Sequence, residues 1–433
     1  MNSGASQDER SDAGVAGHSP PRRATVAFIF VTVVLDVLAL GVLIPVVPQL
    51  IKGFMAGDTA RAAEMVGLFG TMWALMQFFF SPVMGALSDR FGRRRVILAS
   101  NFALGLDYIL MALAPTLAWL FVGRLISGIT GSSLSAAQAY IADVTPPEKR
   151  AASYGMIGAA FGLGFVLGPA LGGVLGAVEP RLPFWVAAGL TLLNACYGLF
   201  VLPESLPPEK RAGFNWKRAN PLGSLLLLRA HRGLLPIAAA VFLYWLAHNV
   251  LSNVFVLYAD HRYGWKEQEV GLTLALVGVC AVIVQAVIVR PAVRRFGEGR
   301  TLIAGLAFGA AGYSMYGAAS TGAMFLVAIT VFAPIGLFSP SAQGLMTKRV
   351  GPSEQGRLQG AISSLMGVAG VFGPGLFTQV FAFFVRDGAN SNLPGAPFFL
   401  AAGLHVLAIV IVGFTIRVGR GERPPLEPSP AAT

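Results

Sequence analysis

Read for its hydrophobic positions, the chain divides into twelve apolar runs separated by short polar segments. The first six cover residues 24–50, 65–87, 96–114, 117–142, 152–177 and 183–202. A polar stretch, PESLPPEKRAGFNWKRANP, follows, and the other six cover 234–258, 269–289, 301–318, 322–347, 357–385 and 396–416. Each run is close to the roughly 20 residues that cross a bilayer as a helix. Pro45, Pro82, Pro169, Pro334, Pro340 and Pro374 lie inside these runs and predict kinks, which neighbouring membrane helices tolerate. The organisation read from this pattern is a disordered cytoplasmic tail (1–23), a first bundle (24–202), a central loop (203–233), a second bundle (234–417) and a C-terminal tail (418–433).

Composition supports a bilayer rather than water as the solvent. Charged residues make up 12% of the chain and apolar ones 55%, with mean hydropathy +0.66, where a soluble chain carries about a quarter charged residues. The 52 glycines suit membrane helices, which use small residues to pack closely. A net charge of +11 would suggest nucleic acid only if it formed a patch. Instead the basic residues fall in short groups between apolar runs. With the N-terminus placed in the cytoplasm, inner segments hold 25 lysines and arginines and outer loops hold six: Lys52, Arg61, Arg181, Arg262, Lys266 and Arg386. The positive-inside rule then puts both termini in the cytoplasm. Cys196 and Cys280 lie in apolar runs outside any metal-ligand spacing and read as packing residues.

The second half of the chain repeats the first. Arg90-Phe91-Gly92 recurs as Arg295-Phe296-Gly297, 205 residues later. At the same offset Arg95 recurs as Arg300, Gly155 as Gly360, and Gly168-Pro169 as Gly373-Pro374. One offset joining three separate segments predicts two homologous six-helix halves with a substrate site between them. The expected fold class is therefore all-α, with twelve transmembrane helices in two pseudo-symmetric bundles.

Several residues carry chemistry into this apolar frame. Asp36 lies about 18 Å along the first run, Asp107 about 18 Å beyond Arg95, and Arg124 about 10 Å into the fourth run at 1.5 Å per residue. Charges at such depth are costly when unpaired and are functional candidates, with a partnered structural role as the alternative. Gln77, Gln138, His248, Asn249, Asn253, Gln285, Gln343 and His405 are polar groups within apolar runs. They are candidates for a substrate cavity or for bonds between helices. No P-loop, metal-ligand set or serine-histidine-acid arrangement is evident, so neither an enzyme nor an ATP-driven pump is expected, and no cofactor.

The segment GALSDRFGRRR, between the second and third runs, resembles the signature of the major facilitator superfamily, Gly-x-Leu-x-Asp-Arg-x-Gly-Arg-Arg. Gly85, Leu87, Asp89, Arg90, Gly92, Arg93 and Arg94 match it. The resemblance covers nearly the whole chain. It implies that the loop is a latch against the eleventh helix, which starts near Arg357, closing the inner side in one state, with Asp143 and Arg150 as further partners. Arg124 resembles the arginine of the family's Arg-x-x-Gln-Gly motif, with Ser127 in place of the glutamine, and in proton antiporters that arginine is implicated in coupling. In GMIGAAFGLGFVLGPALGG, Gly155, Gly164, Gly168, Pro169, Gly172 and Gly173 match the antiporter signature of the fifth helix, which marks exporters.

Within the family, LDVLALGVLIPVVP, LDYILMALAP, GRLISGITG, AYIADVTP, LPES and GRLQGAISSLMGVAGVFGPGLF resemble the bacterial tetracycline efflux pumps. The resemblance implies a monomeric exporter of the bacterial inner membrane that swaps a small amphiphilic compound or drug for protons, driven by the proton gradient. Asp36, Asp107 and Arg124 would then be the coupling residues, with Asp36 favoured because a first-helix acid can border the cavity. The chain departs from those pumps in the eighth and ninth helices. Ala281 and Gly309 stand where they carry a histidine and an aspartate, which predicts weak or no tetracycline resistance. Export of an endogenous metabolite or sugar, possibly uncoupled, and a non-transporting sensor or scaffold are the alternatives.

Overall fold

A computed structural model describes residues 23–131, 134–145, 150–211, 213, 223–351, 354–386 and 393–418. Nearly all of the expected N-terminal and C-terminal tails, and residues 214–222 of the central loop, lie outside these. Among the described residues the chain is helical throughout its core, with no strand.

The spans of the first half are α1 (Phe30–Phe54), α2 (Thr59–Phe91), α3 (Arg93–Leu113), α4 (Leu117–Val144), α5 (Gly158–Val178) and α6 (Leu182–Val201). In the second half, α7 (Leu235–Asn253) is followed by a 52-residue helical run, Glu267–Ala318, and then by α10 (Gly322–Thr347), α11 (Gln355–Val385) and α12 (Ala396–Phe414). At 1.5 Å per residue the long run would measure about 78 Å, more than twice the hydrocarbon core of a bilayer. It is two crossings, α8 before Gly297 and α9 from there to Ala318, because Gly297 leaves helical geometry at φ 76°, ψ 162°. The twelve expected crossings are therefore present. Pro45 lies in the turn that interrupts α1 at residues 44–46, and Pro334 opens a tightened turn, Ala333–Leu337, inside α10.

The repeat read from the sequence is visible in the backbone. Gly92, which ends α2, has φ 101° and ψ 147°, close to the values of Gly297 at the same place in the second half. Such dihedrals are open to glycine and strained for other residues. Arg90 sits over the ring of Phe91 at 5.2 Å, and Arg295 over Phe296 at 5.9 Å. Helix pairing repeats too: α1 packs on α5 and α6 as α7 packs on α11 and α12, and α3 pairs with α6 as α9 pairs with α12. The halves meet through α2 with α11 and α5 with α8, two contacts that the pseudo-symmetry exchanges.

The glycines of α5 make its close contacts possible. A β-carbon on Gly168 would lie 2.7 Å from Gly41 Cα and 3.1 Å from the Leu38 carbonyl oxygen in α1. One on Gly164 would lie 2.6 Å from Val37 Cγ1, one on Gly172 would strike the Val42 carbonyl, and one on Gly173 would strike the Glu267 carbonyl of α8. Three of these glycines therefore serve packing within the first half, and Gly173 serves the contact between halves. Gly155 falls among residues whose surroundings lie outside the described ones.

Candidate functional site

The loop between α2 and α3 is organised around Arg93, which is 8% exposed. Its guanidinium reaches Asp89 at 2.6 Å, Asp143 of α4 at 3.1 Å and the Ser88 hydroxyl at 2.6 Å. Its backbone N–H donates to Glu204, at 2.9 Å, just beyond α6. Glu204 also accepts from the backbone of Ser205 and Leu206 and fills the space beside Gly92 that a side chain there would need. Ser205 donates to Asp143 at 3.2 Å, and Arg94 donates to the Leu199 carbonyl. Sequence reasoning missed Glu204, although LPES had been noted. Gly85 lies 4.0 Å, measured from its would-be β-carbon, from the Ser135 hydroxyl, and Arg90 is exposed.

The expected latch onto α11 near Arg357 is not made in this conformation. Among the described residues, every ion pair of the loop stays within the first half and the segment after it. The second half carries a counterpart with its signs reversed. Arg93–Asp143 corresponds, 205 residues on, to Glu298–Lys348, paired at 2.8 Å.

Ion pairs between the halves lie at the opposite end of the bundle. Lys52, after the turn in α1, pairs with Asp260 in the short helix Phe255–Tyr263 that continues α7. Lys266, at the start of α8, holds the other carboxylate oxygen at 3.0 Å. Arg386 at the end of α11 pairs with Glu64 near the start of α2. Burial works against the ionised Asp260 carboxyl, but the two lysines outweigh it and hold it below the usual carboxylate range. Asp260 in turn raises the Lys266 ammonium. In the sequence these residues were only topology signals, because nothing local shows that Lys52 and Asp260 meet across 208 positions.

Inside the first half, Asp107 and Arg124 are brought together. Asp107 is 2% exposed, and a β-carbon on Gly123, the residue before Arg124, would lie 3.1 Å from its Oδ1. Arg124 acts on Asp107 electrostatically and lies over the Trp73 ring of α2 at 5.5 Å. Neither carboxylate oxygen of Asp107 nor Nε of Arg124 has a hydrogen-bond partner. Asp36 is elsewhere. Its carboxylate accepts from Asn194 Nδ2 at 2.8 Å in α6 and bonds Asn101 of α3, while the same Asn194 amide reaches the Thr32 carbonyl at 3.0 Å. Asp36, partly buried, is thus anchored between α1, α3 and α6.

Two of the polar candidates for a cavity, Asn249 and Asn253, have hydrogen-bond partners on the backbone. Asn249 donates to the Trp245 carbonyl at 2.8 Å and the Ala369 carbonyl at 3.3 Å, tying α7 to α11. Asn253 donates to the Asn249 carbonyl at 2.9 Å and faces Gly70 of α2. Asn253 thus sits where the halves close on each other, while the contacts of Asn249 stay within the second half. Gln77 points at Gly131 of α4. Gln138, Gln285 and Gln343 are exposed. His248 stacks on Tyr244 within the second half, at 5.8 Å between ring centres. Among the described residues there is no cluster of histidine, cysteine and acidic side chains that would hold a metal.

Comparison with known proteins agrees with this architecture. The profile described as Major Facilitator Superfamily matches residues 29–374 and 237–433. The chain is 36% identical to the class C tetracycline resistance protein of Escherichia coli over 381 residues, covering 87% of this chain and 93% of that one. It is 36% identical to the class G tetracycline resistance protein of Vibrio anguillarum, covering 83% and 91%. The human organic anion transporter MFSD10 superposes with a TM-score of 0.68 at 23% identity, covering 91% of this chain and all of the other.

Proposed function

The chain belongs to the major facilitator superfamily and is a multi-pass membrane transporter of small molecules, and on that premise we propose that it exports an amphiphilic compound in exchange for protons. The observation that carries this reading is the Asp107–Arg124 pair. A buried carboxylate without a hydrogen-bond partner, beside a partly buried guanidinium, has two low-cost states in a membrane interior: ion-paired, or neutral through a bound proton. Proton binding to Asp107 releases Arg124, so occupancy by the proton and the position of α4 are linked. Asp36, tied to Asn194, supports the same region as a second acid.

In this reading both termini face the cytoplasm, as the lysine and arginine bias expects. The end closed by Lys52–Asp260 and Glu64–Arg386 is then the external one. The bundles 24–202 and 234–417 rock about a site between them, and the α2–α3 loop takes up its latch in the opposite state. The proton gradient supplies about 2.3 kcal/mol per charge for each 100 mV of its electrical part, and no bound cofactor takes part. The transported compound belongs to the class of amphiphilic drugs that the tetracycline resistance relatives suggest. Tetracycline itself is expected to be a poor substrate, given Ala281 and Gly309.

The test is export in an efflux-deficient host challenged with a drug panel that includes tetracycline, followed by uptake into inverted vesicles with and without an imposed pH gradient. Uptake of a panel drug that ignores the gradient would overturn proton coupling. Absence of any protection or uptake would favour export of an endogenous compound.

A further inference from the structure

The second half encloses a polar cluster that the mechanism above does not use. His405 of α12 is fully buried. Its Nδ1 lies 2.9 Å from the Ala401 carbonyl, which can only accept a hydrogen bond, so Nδ1 carries the hydrogen and Nε2 is left as a bare acceptor. That Nε2 has no partner. It faces Gly309 of α9, where a β-carbon would lie only 3.1 Å from it. One turn further along α9, the ring of Tyr313 stands 5.3 Å from that of His405, and its buried hydroxyl is also without a partner. Tyr244 of α7 lies 5.9 Å from His405 and stacks on His248, whose Nδ1 is a third unpartnered atom.

A buried donor or acceptor left unpaired costs about 1–3 kcal/mol, and native folds keep few of them. Here an imidazole acceptor, a phenol donor and a second imidazole are gathered in one cluster and do not bond one another. Phenylalanine would fill the place of His405 at no such cost. The cluster therefore retains basic nitrogens for what they can take up. The ring contacts run from partly exposed His248 to Tyr244 and on to buried His405, so the more accessible imidazole is the one a solvent proton meets first.

We propose that His248 and His405 form a proton-binding pair in the second half, loaded through His248. The step is a protonation only: a solvent proton adds to an imidazole lone pair and leaves by the same atom. The titratable groups against His405 are Tyr244 and His248 of α7 and Tyr313 of α9, with Tyr316 beyond Tyr313. Past Arg357 at its start, α11 carries no titratable side chain. A proton on one imidazole opposes a proton on the other, so the pair is expected to hold one at a time. The proposal rests on the proton-exchange reading and gives that reading a site in each half.

Histidine resonances of 15N-labelled protein in lipid nanodiscs test it without any substrate. The signal lost in His405→Phe identifies His405, and that lost in His248→Gln identifies His248. The expected result is that both histidines change protonation state within the pH range over which the protein stays folded, and that each midpoint moves when the other histidine is replaced. A His405 signal that stays neutral throughout would overturn the proposal. So would His405→Phe protein that folds and keeps the wild-type pH profile for uptake of a panel drug. Titration at His405 in a protein that moves every panel drug without regard to the pH gradient would instead overturn the exchange reading and leave the site standing.

Discussion

Lys52 and Asp260 join the two halves of the molecule at one end, with the Asp260 carboxylate shared between Lys52 from α1 and Lys266 from α8. Because the pair bridges the halves, opening at this end has to break it. Asp260→Asn should therefore expose the α2–α11 seam. Thr378, fully buried there beside Gly67, is a suitable reporter as Thr378→Cys in a background without Cys196 and Cys280. A membrane-impermeant maleimide should label it several-fold faster in the Asp260→Asn protein, and unchanged labelling would remove Lys52–Asp260 from the gate.

The same pair sets a pH dependence. The lysines hold the Asp260 carboxyl below its ordinary value, so the unfolded or separated state binds the proton more readily than the closed state. Its contribution is then present above the usual carboxylate value of about 4 and is lost as pH falls through the lowered one. Labelling of Thr378→Cys should stay slow from neutral pH into the mildly acidic range and rise only in stronger acid. A rise near pH 6 would point to another group.

Gly168→Leu should abolish transport. The added side chain would meet the Gly41 backbone, which cannot turn aside as a side chain could. Overpacking of this kind costs about 1–3 kcal/mol, so a lowered melting temperature should accompany the loss. Pro169→Ala, which changes the bend and adds no bulk, should be milder on both counts. Wild-type drug protection by Gly168→Leu would refute the close-packing role of α5.

Asp89 and Arg93 should separate function from stability. Asp89 is half-exposed, and an exposed ion pair is worth about 0.2–1 kcal/mol. Asp89→Asn is thus expected to fold normally yet transport poorly, because it removes the charge intended for the latch state. Arg93→Ala leaves Asp143 without its Arg93 partner and should lower thermal stability as well. Melting curves set beside drug protection check both, and full transport by Asp89→Asn would reduce the loop to a topology signal.

Asp107 and Asp36 should differ in kind. Asp107→Asn is expected to abolish gradient-driven uptake into inverted vesicles while exchange without a gradient persists. Asp36→Asn should lower both, since it disturbs the Asn194 anchor between helices. The double substitution accumulating drug against a gradient would place the proton path outside the first half.

The fold was legible because its signals are local. Run length, proline position and the 205-residue offset each survive without knowledge of tertiary contacts, and Gly92 and Gly297 confirm the offset in their dihedrals. The site was only partly legible. Depth along a helix can be counted, so Asp36, Asp107 and Arg124 stand out in the sequence as candidates. The facing direction cannot be counted when a helix is apolar all round, so the turn of Asp36 toward Asn194 was missed. Asn249 and Asn253 were drawn to a cavity for the same reason. Glu204 and Asp260 were invisible because their partners lie more than 100 residues away.

Gly92 and Gly297 also bear on descent. Around them Arg93–Asp143 has become Glu298–Lys348, so the charges have been rewritten while the bend has been inherited. The bend is common to both halves and the arrangement of charge is not. Alanine at Gly297, where no atom lies within 4 Å, would trouble the joint alone, whereas alanine at Gly92 would also collide with Glu204. The two positions are one ancestral residue living in two different neighbourhoods, and comparing them separates what the backbone demands from what the surroundings have since added.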